Sequence, residues 1–476
     1  NMTSDWPLHC FKAYDIRGLS GTDLSEEFAE RLGRALATYL DLEAFAVARD
    51  IRDTSPEYAA ALMKGLSESG VKVFDLGILP TGGLYHSVWN LPVGGGCMVT
   101  ASHLPMPTHN GFKICRGNLP LAGEGIQELK EVFLAGEFNS GEGSIVETSH
   151  EEDWMSNILE SAGRPSRPVK VVVDCGNAVA GPFMEKLLSR LGVEATTLYT
   201  NWDATEPNHP ADPTRPANMV DLAAKVLEVG AELGIGIDGD GDRIGVVDET
   251  GRFIYPDRLI PFIAESILAK RSEESEEARS VVYDVKCSMS VENAIIALGG
   301  VPVMARTGHS FMKAHLAQHP ETVIAAEMSG HIFLADAGWY GFDDSLYNTA
   351  RLLCEVANIG NGTFGQVLDR MVPGLPTTGE VKVPCAEEDK EGVVSAVEES
   401  LRGEGLECIT VDGVRARFLD DDGHYIGWYL CRRSNTEEVL VMRAEAIDEE
   451  SLAIIMQKVE ELAGPHIDLT KLLSEA

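Results

Sequence analysis

One unit recurs three times along this chain and leaves few folds open to it. A short apolar strand runs into a polar switch residue, a helix follows, and a Gly-Val step leads into a second strand. The first copy is Ala44 to Ala48 reaching Arg49-Asp50, a helix through Tyr58 and Leu66, then Gly70-Val71 and the strand Lys72 to Phe74. The second is Val169 to Val173 with Asp174, a helix through Phe183 and Leu188, and Gly192-Val193. The third is Val281 to Tyr283 with Asp284, a helix around Ala294 to Leu298, and Gly300-Val301-Pro302-Val303. Each reads as a βαβ unit, whose turns set polar groups at the carboxyl ends of strands, where open α/β sheets take ligands.

At 476 residues the chain is too long for one core, and about three or four domains are expected. The polar, Gly/Ser/Glu-rich stretch Gly136 to Ser149 reads as a linker ending the first domain; Tyr255-Pro256-Asp257 follows the second, and Met371 to Pro376 closes the third. The expected domains are therefore 1–150, 151–255, 256–373 and 374–476. Within the first, Phe28, Leu32, Ala35, Leu36 and Tyr39 predict a helix over Leu24 to Leu40 with Asp23 as N-cap. Proline spacing predicts an extended loop from Glu206 to Pro216. The charged run Arg271 to Arg279 reads as a solvated face or loop. From Thr377 onward, strands at Glu380–Val383, Gly413–Phe418 and Val439–Arg443 mix with helices at Lys390–Leu401 and Glu449–Leu462, which predicts an α+β domain.

Thirty-nine Lys and Arg stand against 75 acids, a net charge of −36. That balance argues against nucleic acid or an anionic membrane surface as a partner, and it makes any cation inside a motif informative. The nine cysteines are scattered with no CxxC pair, which fits a reduced, cytoplasmic protein. No apolar stretch approaches the length of a membrane span, and no signal-peptide pattern opens the chain. Asn1 ahead of Met2 reads as an addition and is set aside in the fold reasoning. The oligomeric state is not legible in the sequence.

Two loops carry the sharpest chemistry. Asp238-Gly239-Asp240-Gly241-Asp242-Arg243 places three carboxylates at alternate positions, so they share one side of an extended loop. Three hard oxygen ligands suit Mg²⁺ or Ca²⁺. The spacing also fits part of an EF-hand, with Glu249 at the twelfth position. Against that reading, Arg243 stands where the turn wants glycine, and the flanks Leu233–Ile237 and Ile244–Val247 read as strands. An acidic surface turn is the plainer alternative. The second loop, Thr100-Ala101-Ser102-His103-Leu104-Pro105, follows the apolar run Gly94 to Val99. Its small residues let an anion approach the backbone. It lacks the G-x-S-x-G elbow of a serine hydrolase. His103, adjacent in sequence, is expected to point away from Ser102. The expectation is that the two loops meet, a phosphorylated Ser102 completing a cation site on the aspartates. Taken alone, Ser102 is one loop serine among several.

Other loops offer groups for an anionic ligand: Tyr14 to Gly18, Asn110 to Lys113, Asp284 to Lys286, Thr307 to Ser310, Glu327 to His331, and Arg432 to Thr436. The last has a guanidinium, hydroxyls and an amide within one turn, the composition of a phosphate clasp.

Taken in order, FKAYDIRG, TASH-P, NGFK, DGDGDR, EMSGH and R-x-SNT resemble the α-D-phosphohexomutases, in particular the phosphomannomutase/phosphoglucomutase group, over essentially the whole chain. The resemblance implies an α/β architecture of four domains around a central cleft: three related mixed α/β domains and a C-terminal α+β domain. It further implies a phosphoserine loop, a metal loop, a sugar loop and a phosphate loop, one on each domain in that order. It implies that Ser102 carries the phosphoryl group and that Asp238, Asp240 and Asp242 bind Mg²⁺ with one phosphoserine oxygen. Glu327 and Ser329 resemble the residues that bond the sugar O3 and O4. Arg432, Ser434, Asn435 and Thr436 resemble the clasp for the phosphate not in transfer, with Tyr14, Lys286 and His309 also lining the site. Arg17, Lys113, Arg243 and His331 match positions near the transferring group, and either Lys113 or His331 is the expected base. The implied activity interconverts hexose 1-phosphate and hexose 6-phosphate, of mannose and/or glucose, with a hexose 1,6-bisphosphate as intermediate and activator. Two departures stand out: Leu104 where TASHNP is usual, and Ala326 where glycine precedes EMSGH. The alternatives are phosphoglucosamine mutase, a metal-dependent sugar phosphatase, and a sugar-phosphate-binding protein without catalysis. Met328 favours the mannose/glucose group over the glucosamine enzymes.

Overall fold

A computed structural model describes residues 5–476, so Asn1 and Met2 lie outside the described residues. The chain packs as two compact units. The first runs from the described N-terminus to Pro256 and adds Lys313–Ile324 and Ser329–Val367; the second comprises Asp257–Met312, Ala325–Met328 and Leu368–Ala476.

In the first unit one sheet takes its strands in the order Ile16–Leu19, His109–Arg116, Gly95–Val99, Ala44–Arg49, Lys72–Ile78, Ser144–Glu147. The first two junctions are antiparallel and the other three parallel. The last strand corrects one expectation: Ser144–Glu147 lies inside the stretch read as a polar linker, yet it pairs with Lys72–Asp75. Its Gly and Ser neighbours hide a short Ile145-Val146 core of strand propensity. Helix Glu26–Tyr39 forms where its apolar stripe predicts, but its cap is Ser25, whose side chain accepts from Phe28 N. Asp23 instead accepts from Leu19 N. This helix crosses Ser55–Ser67 at paired glycines, where a Cβ on Gly65 would lie 2.0 Å from the Glu30 carbonyl oxygen. Beneath them Phe28, Phe45, Phe112 and Phe133 fill the core.

A second sheet of the same unit runs Phe253–Ile254, Ile244–Asp248, Leu233–Ile237, Lys170–Asp174, Glu194–Leu198. Leu233–Ile237 and Ile244–Asp248 form an antiparallel hairpin with the acidic loop at its tip. Strand flanks exclude the EF-hand, which needs helices on both sides.

The second unit holds the parallel strands Val301–Ala305 and Ser280–Asp284, the latter pairing in parallel with Ala325 and Ala326. It also holds an antiparallel sheet, Val381–Pro384, Val439–Ala446, Tyr425–Arg433, Val414–Leu419, Glu407–Ile409. The helices Glu387–Gly403 and Glu449–Ala463 cover that sheet through Val394, Val397, Leu401, Ile455 and Val459. Among the described residues no helix is long and apolar enough to cross a membrane.

The acid that ends the first strand of each repeat ties neighbouring loops together. Asp50 accepts from Arg52 N, Ser55 Oγ and Thr100 Oγ1. Asp174 accepts from Gly176 N and pairs with His209 Nε2 at 2.7 Å. Asp284 accepts from Met328 N and Thr307 Oγ1. The same switch residue thus organises the carboxyl end of all three parallel cores. The span from 199 to 215 is irregular, with a short 3₁₀ turn from Pro216, and Glu206 accepts from Met106 N beside the serine loop. Burial alone would lower the His209 pKa, but Asp174 outweighs it and raises it to about 8. A folded value above the free value of about 6.5 gives stability that is full below that pH and lost as pH rises through the folded value. The difference in urea midpoint between the natural protein and His209→Gln is expected to be larger at pH 6 than at pH 9.

Candidate active site

The serine loop leaves the strand Gly95–Val99 and is shaped by a buried guanidinium. Arg52 is fully buried and donates from Nη2 to the Ser102 carbonyl at 2.8 Å and from Nη1 to the carbonyls of Leu104, Pro105 and His109. Its Nε donates to Asp50 at 2.8 Å, and Asp50 also accepts from Thr100 Oγ1, which in turn accepts from Ser102 N. A buried charge needs a partner of this kind, because an unpaired one costs several kcal/mol (order of magnitude). Ser102 itself sits at φ +57, a left-handed conformation that costs a serine about 1–2 kcal/mol and persists only where the surroundings impose it. Leu104, the departure from the usual asparagine, contributes its carbonyl to Arg52, a bond any residue supplies.

The acidic loop lies directly against it. A Cβ on Gly239 would fall 2.2 Å from the Ser102 carbonyl oxygen, so only glycine permits this approach. Thr81 locks the other side, donating from its backbone N to the Asp240 carbonyl at 2.9 Å and from Oγ1 to Asp240 Oδ2 at 2.5 Å. Asp238 Oδ1 accepts three backbone N–H groups, from Gly241, Asp242 and Arg243, while Oδ2 pairs with Arg243 Nε at 3.0 Å. Lys113 Nζ reaches Asp240 Oδ2 at 2.5 Å and Asp242 Oδ2 at 2.9 Å. His331 Nε2 stands 3.5 Å from Asp242 Oδ2, and its Nδ1 meets Ser329 Oγ at 2.8 Å.

The residues fit a hard divalent cation. Ligand oxygens of Asp238, Asp240 and Asp242 lie within 4.8 Å of one another, all buried. Asp240 Oδ1 and Asp242 Oδ1 are buried with no hydrogen-bond partner, which is costly unless a cation engages them. Burial, with like charge alongside, pushes the carboxyls of Asp238 and Asp240 up. Burial also opposes ionisation of Asp242, yet Lys113 and His331 beside it hold it down. Lys113 loses solvent by burial, but the aspartates outweigh that and raise its pKa, so it stays an ammonium.

One expectation changes here. The His103 ring does not turn away: Nδ1 lies 3.5 Å from Ser102 Oγ. Arg243, burial, Arg17 and Lys113 push its pKa down, so it stays neutral. The same interactions show Arg17, Lys113 and Arg243 converging on this corner despite the net charge of −36. Arg17 is oriented by Asp15 at 3.0 Å, and Tyr14 precedes that pair in sequence.

The remaining candidates gather in the second unit. Glu327 Oε2 accepts from Gly308 N at 3.0 Å, which sets the sugar-loop candidate beside His309. Lys286 lies in a turn whose flanking Val285 and Cys287 carbonyls both accept from Arg415 Nη1 at 2.7 Å, and Arg415 stacks on Trp428. Arg432 lies one residue before the end of its strand and pairs through Nε with Asp412 Oδ2 at 3.1 Å. Ser434 Oγ accepts from the backbone N–H groups of Thr436 and Glu437, closing the turn that carries Asn435. Buried Lys390 pins that turn through the carbonyls of Ser434 and Glu437. Asp412 also accepts from Thr307 N.

Sequence reading missed four organisers: Arg52, Asp412, Arg415 and Lys390. Local sequence hinted only at Arg415, a charge inside a strand-like stretch; Arg52 and Lys390 sit among other charges and look like surface residues. Their partners are distant in sequence.

The fold and site together define a multidomain α/β protein with a buried serine loop set against a cation-type acidic loop. The description of phosphoglucomutase/phosphomannomutase α/β/α domain I matches residues 9–140, domain II residues 152–251, domain III residues 255–373, and the C-terminal domain residues 380–462. The chain belongs to the phosphoglucomutase/phosphomannomutase family. It is 38% identical over 450 residues to a phosphomannomutase/phosphoglucomutase of Pseudomonas aeruginosa, covering 94% of this chain and 93% of the relative. It is 36% identical over 469 residues to a phosphoglucomutase of Neisseria gonorrhoeae, covering 96% and 97%. A crystal structure of a family protein from Burkholderia thailandensis superposes with a TM-score of 0.87 at 35% identity, covering 97% of this chain and 99% of that one.

Proposed function

We propose that this chain interconverts hexose 1-phosphate and hexose 6-phosphate, of mannose and/or glucose, through a phosphorylated Ser102 and a hexose 1,6-bisphosphate. The observation that carries the reading is the seating of the Ser102 backbone on Gly239, within the loop that holds three buried carboxylates. The names of the relatives support the mannose and glucose substrates.

Ser102 Oγ gives its phosphoryl group to O1 or O6 of the sugar; the O–P bond to serine breaks as the bond to the sugar oxygen forms. The bisphosphate turns end for end and returns its other phosphoryl group to Ser102. Asp238, Asp240 and Asp242 would hold Mg²⁺, which when bound neutralises charge on the transferring phosphoryl oxygens. Arg17, Lys113 and Arg243 add fixed positive charge where the equatorial oxygens develop theirs, the main protein contribution to such a transfer. Lys113, held as an ammonium between Asp240 and Asp242, suits that role and not the base role. His331 is then the group that takes the sugar proton. Glu327 and Ser329 orient the sugar through O3 and O4. Arg432, Ser434, Asn435 and Thr436 take the phosphate not in transfer, with Tyr14, Lys286 and His309 as further contacts.

Incubation with glucose 1,6-bisphosphate and Mg²⁺ is expected to add one phosphate to the intact mass, mapping to Ser102. A coupled assay with mannose, glucose and glucosamine 1-phosphates is expected to show turnover of the first two. Release of inorganic phosphate in excess of isomer would overturn the mutase reading in favour of a phosphatase. Faster turnover of the amino sugar would move the substrate to glucosamine.

A further inference from the structure

His331 has a carboxylate on each of two sides. Its Nε2 lies 3.5 Å from Asp242 Oδ2 and 3.5 Å from Asp343 Oδ2. Asp242 has other work: it pairs with Lys113 and belongs to the cluster that would hold the cation. Asp343 does not. It is fully buried, and its Oδ1 pairs with Lys313 Nζ at 2.7 Å. Lys313 is itself buried and sits over the Tyr85 ring at 4.0 Å. A buried ion pair is a weak source of stability, since desolvation offsets most of the Coulomb gain. Lys313 and Asp343 therefore call for a reason beyond folding, and the ring of His331 beside them supplies one.

We propose that Asp343 is a positioning residue for His331, with Lys313 holding its carboxylate in place. The inference rests on the reading of His331 as the proton acceptor. Asp343 Oδ2 makes no hydrogen bond to the ring, but its charge 3.5 Å from Nε2 favours the tautomer that carries the proton there, which leaves Nδ1 as the accepting nitrogen. Nδ1 is the nitrogen that meets Ser329 Oγ, the hydroxyl assigned above to the sugar. The accepting lone pair and the sugar-binding hydroxyl thus share one side of the ring, and Asp343 holds the other.

The test is a cycle of variants assayed for glucose 1-phosphate turnover with Mg²⁺ and glucose 1,6-bisphosphate present. Asp343→Asn is expected to lower kcat about 10- to 100-fold, the usual cost of losing such a supporting carboxylate, with KM within about twofold. His331→Gln is expected to lose at least as much, and the double variant His331→Gln/Asp343→Asn to be no slower than His331→Gln alone, because both changes remove one function. Multiplying losses in the double variant would show that Asp343 acts independently and would overturn the proposal. Asp343→Asn leaves Lys313 buried without its partner, so Asp343→Asn/Lys313→Met removes both charges. It is expected to keep the kcat loss; recovery of kcat would trace the defect to the stranded ammonium and also overturn the proposal. Normal kcat in His331→Gln would instead remove the underlying reading of His331.

Discussion

Ser102→Ala is expected to lower mutase turnover by about three orders of magnitude or more, because a covalent carrier has no substitute once its oxygen is gone. The fold has little stake in the change. Ser102 is held at φ +57 by Arg52 and Thr100 acting on its backbone carbonyl and N–H; an alanine keeps both backbone bonds and meets a similar conformational cost. The near-UV spectrum and urea midpoint are therefore expected to stay close to those of the natural protein. The measurement is isomer formation from mannose 1-phosphate with Mg²⁺ and bisphosphate, alongside intact mass. Near-normal conversion by the alanine protein would remove Ser102 from the mechanism.

Gly239→Ala tests the meeting of the two loops without deleting any functional group. Gly239 is outside the positive-φ set, so alanine is conformationally allowed there. What it cannot avoid is contact: its Cβ would lie 2.2 Å from the Ser102 carbonyl oxygen, a backbone atom clamped by Arg52. The loops must part by more than 1 Å to relieve that contact (an order-of-magnitude displacement), and a shift of that size costs about 10²-fold in a reaction that depends on positioning. We expect kcat to fall by about that factor, with slower phosphoryl loading of Ser102 by glucose 1,6-bisphosphate. Activity equal to the natural protein would mean that the approach of the loops is not required for transfer.

Much of the architecture was legible along the chain because its signals are local. The apolar runs ending in Asp50, Asp174 and Asp284 read as strands and form strands, since a short continuous apolar run and its polar stop sit within a few residues of each other. The strand Ser144–Glu147 was not legible: its four residues lie among glycines and serines, and pairing with Lys72–Asp75, not propensity, makes it a strand. Tyr425–Arg433 escaped for a related reason, as the apolar run Tyr425 to Cys431 reads as helix or strand alike.

At the site, the sequence by itself determined which groups are available: a serine after an apolar run, three aspartates at alternate positions, and cations scattered through an acidic chain. Tertiary structure alone decided which of them touch. Lys113 and Asp240 are 127 residues apart, and Arg52 and Ser102 are 50 apart; no periodicity spans such distances. Those pairings are settled by burial, because a charge taken out of water must find an opposite charge or a backbone dipole wherever the packed sheets bring one within reach.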